Sequence, residues 1–117
     1  MHEMSIVSSL LSIVREEMEK HGARRLLVAR VCYGALTNIE PEAMTLAFEA
    51  LTRGTELAGA KLELEEVPLV VRCGGCDTGF TPAGRDFLEA ACPACGCREG
   101  HIFMNGDELF LQHLEAE

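Results

Sequence analysis

The chain has 117 residues, with 19 acidic against 10 basic side chains, a formal charge of −9 and 48 % hydrophobic residues. That balance excludes the basic face with which proteins neutralise nucleic-acid phosphates, and no apolar run is long enough to span a bilayer as a helix. The length suits one compact domain carrying a small module.

Taken in chain order, Val7, Leu10, Leu11, Val14 and Met18 recur at helical spacing, and His21-Gly22 supplies a stop. Leu27, Ala29, Val31 and Tyr33 then alternate with Val28, Arg30 and Cys32, which predicts a strand with one buried face and makes Cys32 a small core residue. Pro41 suits the first turn of a second helix whose Met44, Ala47, Phe48 and Leu51 share a face, with Gly54 at its carboxyl end. Leu62 and Leu64 alternate with Glu63 and Glu65 in a second strand.

Next come two Cys-x-x-Cys pairs, Cys73/Cys76 and Cys92/Cys95, with residues 77–91 between them. Each pair can place two sulfurs on one side of a tetrahedral ion, and this spacing reads as a zinc knuckle. Large apolar groups between the pairs are few, namely Phe80, Phe87 and Leu88, so burial alone is a poor source of stability for the module. Two disulfides are the competing reading. The apolar stretch at 6–14 follows Glu3 and precedes Arg15-Glu16-Glu17, without a basic leader or small-residue cleavage site, so a cytoplasmic, reducing location is expected. Paired thiols there are metal ligands rather than crosslinks. Cys92-Pro93-Ala94-Cys95-Gly96 also looks like a rubredoxin knuckle, but the chain has no Trp and one Tyr to pack round iron, which favours Zn(II). Cys97 offers a second choice of fourth thiolate; the two-residue gap favours Cys95.

The module itself carries Arg72, Arg85 and Arg98 against Asp77, Asp86, Glu89 and Glu99, so it too lacks a nucleic-acid face. Beyond it, residues 102–104 meet Asn105-Gly106, a strong hairpin signal, and 108–114 is expected to return as a strand. The order predicts an α+β fold: two helices on a three-stranded antiparallel sheet with an inserted zinc-ribbon module. The expected division is 1–67 with 105–117, and a ribbon at 68–104, the crossings falling near Pro68 and Gly100.

The opening Met1-His2-Glu3-Met4-Ser5, Gly34, the stretches Asn38-Ile39-Glu40-Pro41-Glu42, Phe48-Glu49-Ala50-Leu51-Thr52-Arg53-Gly54-Thr55 and Leu62-Glu63-Leu64-Glu65-Glu66-Val67-Pro68, and the two cysteine pairs together resemble the HypA/HybF family of hydrogenase-maturation nickel metallochaperones. The resemblance spans the whole length. It implies delivery of Ni(II) to the large subunit of a nickel-iron hydrogenase, a nickel site at the amino terminus, a structural zinc in the ribbon, and partnership with a hydrogenase-maturation GTPase. Membrane association is not expected, and the chain is expected to be a monomer or weak homodimer.

The chemistry of the opening accords with that implication. A retained Met1 amine, the His2 imidazole and the His2 and Glu3 backbone nitrogens lie within one chelating reach, a nitrogen-rich set suited to tetragonal nickel(II), whereas tetrahedral thiolates suit zinc. The first amides of a helix lack intrahelical acceptors and are available there. Helix polarity repels a cation at this end but favours a deprotonated amide and the Glu3 carboxylate. A histidine near a chain start is by itself commonplace; its place in the motif singles out His2. Family members with histidines beside the cysteine pairs can change zinc coordination with pH, but Asp77 and Gly96 stand there in this chain. His101 is a stray ligand candidate better read as hairpin-packed or solvated, and His21 and His113 default to the surface.

A zinc-ribbon adaptor that only binds other proteins is the alternative function, and it leaves the opening motif idle. Enzymatic activity is not expected: there is no nucleophile and base pairing and no phosphate loop, and a closed four-cysteine zinc has no open position for substrate.

Overall fold

A computed structural model of the chain describes residues 2–83, 87 and 89–117, and for His2 the backbone alone. Met1, Arg85, Asp86 and Leu88, each used in the sequence reading, lie outside the described residues. The elements are α1 (His2–Lys20), β1 (Leu26–Gly34), α2 (Pro41–Thr52), β2 (Lys61–Val67), β3 (Val71–Arg72), β4 (Gly79–Phe80), β5 (Ile102–Phe103) and β6 (Leu109–Ala116). Two compact units result, one of Met1–Tyr33, Asn38–Glu65 and Leu109–Glu117, the other of Gly34–Thr37 and Glu66–Glu108. Among the described residues no helix is long and apolar enough to cross a membrane.

The fold class is α+β, with the helices packed on a three-stranded sheet of order β2-β1-β6 and a ribbon inserted between β2 and β6. Val7, Leu11 and Val14 on α1 meet Met44, Ala47 and Phe48 on α2 and Leu26, Val31 and Tyr33 on β1 in one buried cluster. Helix α1 stops because Gly22 takes φ +66, which lets its N–H bond Glu19 O at 3.2 Å and the Ala23 N–H bond Met18 O at 2.9 Å, capping orphan carbonyls. Pro41 opens α2, and at its end Leu51 is half-buried while Thr52 is buried, its hydroxyl donating to Phe48 O at 2.7 Å.

Strand β1 departs from simple alternation. Its pairing with antiparallel β6 steps from Leu26↔Ala116 to Val28↔Glu115, leaving Leu27 as an extra residue, and a second step leaves Gln112 extra on β6. The first bulge reverses the facing of the strand start, so Leu26 is buried and Leu27 is not. Cys32 is buried as expected. Burial and the Glu65 carboxylate push its thiol up, which keeps it protonated.

In the second unit the short strands β4-β3-β5 form their own sheet, with Val71 opposite both Phe80 and Phe103. Among its described residues the buried apolar side chains other than cysteine are Leu69 and Val71, with Phe87 set edge-on to Phe103 at 5.9 Å. The expected hairpin at Asn105-Gly106 is corrected here, because β5 pairs with β3 and β6 pairs with β1. A tight two-residue hairpin of this sequence needs positive φ at both residues, and Asn105 is not among those that adopt it. Its amide is occupied otherwise: Oδ1 accepts the Val70 N–H at 2.7 Å, and Nδ2 donates to Pro68 O at 3.0 Å and Glu108 Oε2 at 2.7 Å. Asn105 thus clasps the two ends of the ribbon instead of turning a hairpin.

Candidate metal centre

The two cysteine pairs fold into matching turns. In the first, the Cys73 N–H donates to Thr78 O at 2.9 Å and the Asp77 N–H to Cys73 O at 3.1 Å; in the second, the Cys92 N–H donates to Cys97 O at 2.9 Å and the Gly96 N–H to Cys92 O at 2.8 Å. Asp77 and Gly96, each just after a second cysteine, take φ 63 and 79, a left-handed conformation open to Asp and Gly. The Gly75 N–H points at the Cys73 sulfur from 3.2 Å and the Ala94 N–H at the Cys92 sulfur from 3.4 Å. Such donors stabilise a thiolate.

These turns bring Cys73, Cys76, Cys92 and Cys95 together with all four sulfurs within 4.8 Å of one another. Two contacts join the two turns, Cys73 to Cys95 at 3.5 Å and Cys76 to Cys92 at 3.6 Å. Zinc with bonds of about 2.3 Å needs tetrahedral sulfurs roughly 3.8 Å apart, so the cluster has the size and donor type for that ion. One sulfur residue of each pair, Cys73 and Cys92, is buried, while Cys76 and Cys95 are exposed.

Four thiols this close cannot all ionise without a cation. Cys76 is brought down to about 6, first by the hydrogen bond with the Thr78 hydroxyl 3.1 Å away and then by the Thr78 backbone. At Cys95 the Cys97 backbone favours ionisation, but the Cys73 and Cys76 sulfurs outweigh it and push the thiol up to about 12. The metal-free cluster therefore ionises at one corner first and resists at another.

Cys97 occupies in the second turn the place of Thr78 in the first, and its sulfur lies 3.4 Å from Glu99 O, outside the four-sulfur group. Repetition of the Cys-x-x-Cys-x-Thr and Cys-x-x-Cys-x-Cys hexads was the signal for that role. His101 is not among the clustered ligands either: Nδ1 lies 3.1 Å from Gly74 N and Nε2 2.8 Å from Ala90 O, with the ring edge-on to Phe80 at 5.3 Å. No spacing rule in the sequence pointed to this contact.

At the other end, α1 begins at His2, so the backbone N–H groups of His2 and Glu3 belong to the first turn, which has no intrahelical acceptors for them. Glu3 is half-buried; Met1 and the His2 side chain lie outside the described residues. His21 and His113 are both exposed, as expected.

A four-thiol cluster in a ribbon inserted into the sequence of a small helix-and-sheet unit defines a metal-binding protein. Comparison with known proteins makes this specific. The family model described as hydrogenase/urease nickel incorporation, metallochaperone, hypA matches residues 1–116, and the chain belongs to that family. It is similar to the hydrogenase maturation factor HypA of Solidesulfovibrio magneticus, 44 % identical with 100 % of each chain covered. The HypA of Lawsonia intracellularis is 45 % identical, again over 100 % of both chains. A solved solution structure of a HypA protein matches with a TM-score of 0.68 at 26 % identity, covering 100 % of this chain and 97 % of that one. The chain is thus a maturation-factor metallochaperone of the hydrogenase/urease nickel-incorporation family, and its partners are those of hydrogenase maturation.

Proposed function

We propose that this chain takes up one Ni(II) at its amino-terminal tip and delivers it to the large subunit of a nickel-iron hydrogenase in the cytoplasm. The observation that carries the reading is a family match running from the first residue to residue 116, which embraces the tip and the cysteine ribbon together. The tip ligands are the Met1 amine, the His2 imidazole and backbone nitrogens of His2 and Glu3, with the Glu3 carboxylate beside them. Support comes from the start of α1 at His2, which leaves those amides without helical partners. The ribbon holds a structural Zn(II) on Cys73, Cys76, Cys92 and Cys95, a role for which their separation and donor type are suited. A hydrogenase-maturation GTPase is the partner proposed for release, which docking on the exposed side of α1 would trigger by disturbing a ligand set only three residues long.

Nickel titration by calorimetry on untagged protein tests the tip. His2→Ala, or an amino-terminal tag that blocks the amine, is expected to abolish equimolar nickel binding while zinc content and far-UV circular dichroism stay the same. Unchanged nickel affinity in either case sinks the assignment.

A further inference from the structure

His101 touches both halves of the ribbon without belonging to the sulfur cluster. Because the Gly74 N–H is a donor, the Nδ1 facing it at 3.1 Å must accept, which places the ring proton on Nε2. Nε2–H then donates to Ala90 O at 2.8 Å. Gly74 is the residue between Cys73 and Gly75, whose N–H in turn aims at the Cys73 sulfur from 3.2 Å. The fit at Gly74 is close: a Cβ there would collide with Gly100 O and lie 2.6 Å from Glu99 O, so the segment carrying His101 lies directly against the first cysteine turn. Phe80, edge-on at 5.3 Å, fixes the ring plane.

We infer that His101 is a positioning residue for the zinc centre, a neutral imidazole that holds the Cys73–Cys76 turn in place through Gly74 so that its sulfurs meet those of Cys92 and Cys95. This rests on the reading of the four thiols as a zinc site. Metal sites depend on the partners that hold their ligands as well as on the ligands, and loss of such a partner commonly costs tenfold to a hundredfold in affinity. The two hydrogen bonds are separable by substitution. His101→Asn keeps a carbonyl near the Nδ1 position, facing Gly74, whereas His101→Gln places its amide near Nε2, facing Ala90, and His101→Phe keeps only the ring against Phe80.

Zinc affinity of the full chain, measured by competition with a chromophoric chelator, is expected to fall roughly tenfold to a hundredfold in the Phe and Gln variants and distinctly less in the Asn variant. The cadmium-113 resonance of the cadmium-substituted protein should move in the same order. A merely structural role in packing the ribbon would not separate Asn from Gln, so equal losses in the two overturn the inference, as do affinities unchanged in all three. A measurement free of substitutions guards against a variant that fails to fold: nitrogen-15 spectra of zinc-loaded wild type at neutral pH should show Nδ1 unprotonated and coupled to the Gly74 N–H. A proton found on Nδ1 also overturns it. Wild type that binds no zinc instead defeats the reading of the thiols, a result distinct from either.

Discussion

Removing zinc should unfold the ribbon unit and spare the helix-and-sheet unit. Among described residues the ribbon unit buries Leu69 and Val71 as its apolar side chains besides cysteine, and each contributes on the order of 1.5–3 kcal/mol. A structural zinc supplies roughly 10–16 kcal/mol of apparent folding free energy, so the metal outweighs the apolar contribution. Strands β3, β4 and β5 are two residues long each and cannot persist alone. The other unit has a cluster of thirteen buried residues, from Val7 on α1 to Leu57 after α2, and owes nothing to the cysteines. Hydrogen exchange read by mass spectrometry on reduced protein, before and after chelation, separates the two. Peptides within 66–108 should lose their protection, while those covering α1, α2 and β1 keep theirs. If peptides spanning Val71 to Phe103 stayed as protected without metal as with it, the claim that zinc holds the ribbon would be wrong.

Cys97→Ser should retain zinc and Cys95→Ser should lose it by elemental analysis, since Cys97 lies outside the four-sulfur group; the reverse result reassigns the ligand. Zinc affinity should fall on acidification: with Cys95 pushed up to about 12, binding must expel its proton at neutral pH, and below about 6 the Cys76 proton as well. Chelator competition across that range reads the slope, and a flat profile contradicts it. Leu57→Ala, at a site with 0 % exposure, should destabilise the helix-and-sheet unit by about 2–5 kcal/mol in urea melts without changing zinc content.

Much of this architecture was legible because its signals are local. The helical spacing of Val7 to Met18 and the Gly22 stop are properties of adjacent turns, and the structure gives α1 as His2–Lys20. The Cys-x-x-Cys spacing likewise dictates a turn whose hydrogen bonds close within six residues. What was hidden depends on partners far away in sequence. The facing of Leu26 and Leu27 is set by a bulge against β6, some ninety positions on, and no alternation within β1 reports it. Asn105-Gly106 carries a strong local turn preference, yet Asn105 bonds Pro68 and Val70, and those distant acceptors and donors override the preference.

The two proposed metal sites stay distinct because the ligands differ in kind and in how they are held. Four convergent sulfurs, two of them on buried residues and tied by backbone N–H groups, form a closed set with no position for exchange. Such a site suits an ion that stays. The proposed tip set is nitrogen-rich, and its His2 and Glu3 amides belong to the first turn of one helix, so opening it requires moving a few residues and no core. Tetrahedral thiolate favours zinc and tetragonal nitrogen favours nickel, so the two proposed sites should select different ions. Protons should loosen both sites, but at the tip they compete for an imidazole and an amine, group types whose reference values of about 6.5 and 7.7–8.0 lie near neutrality. Modest acidification at the tip should therefore displace nickel, and calorimetry at successive pH values would show an affinity that falls with pH; a constant one would exclude the amine and imidazole as joint ligands.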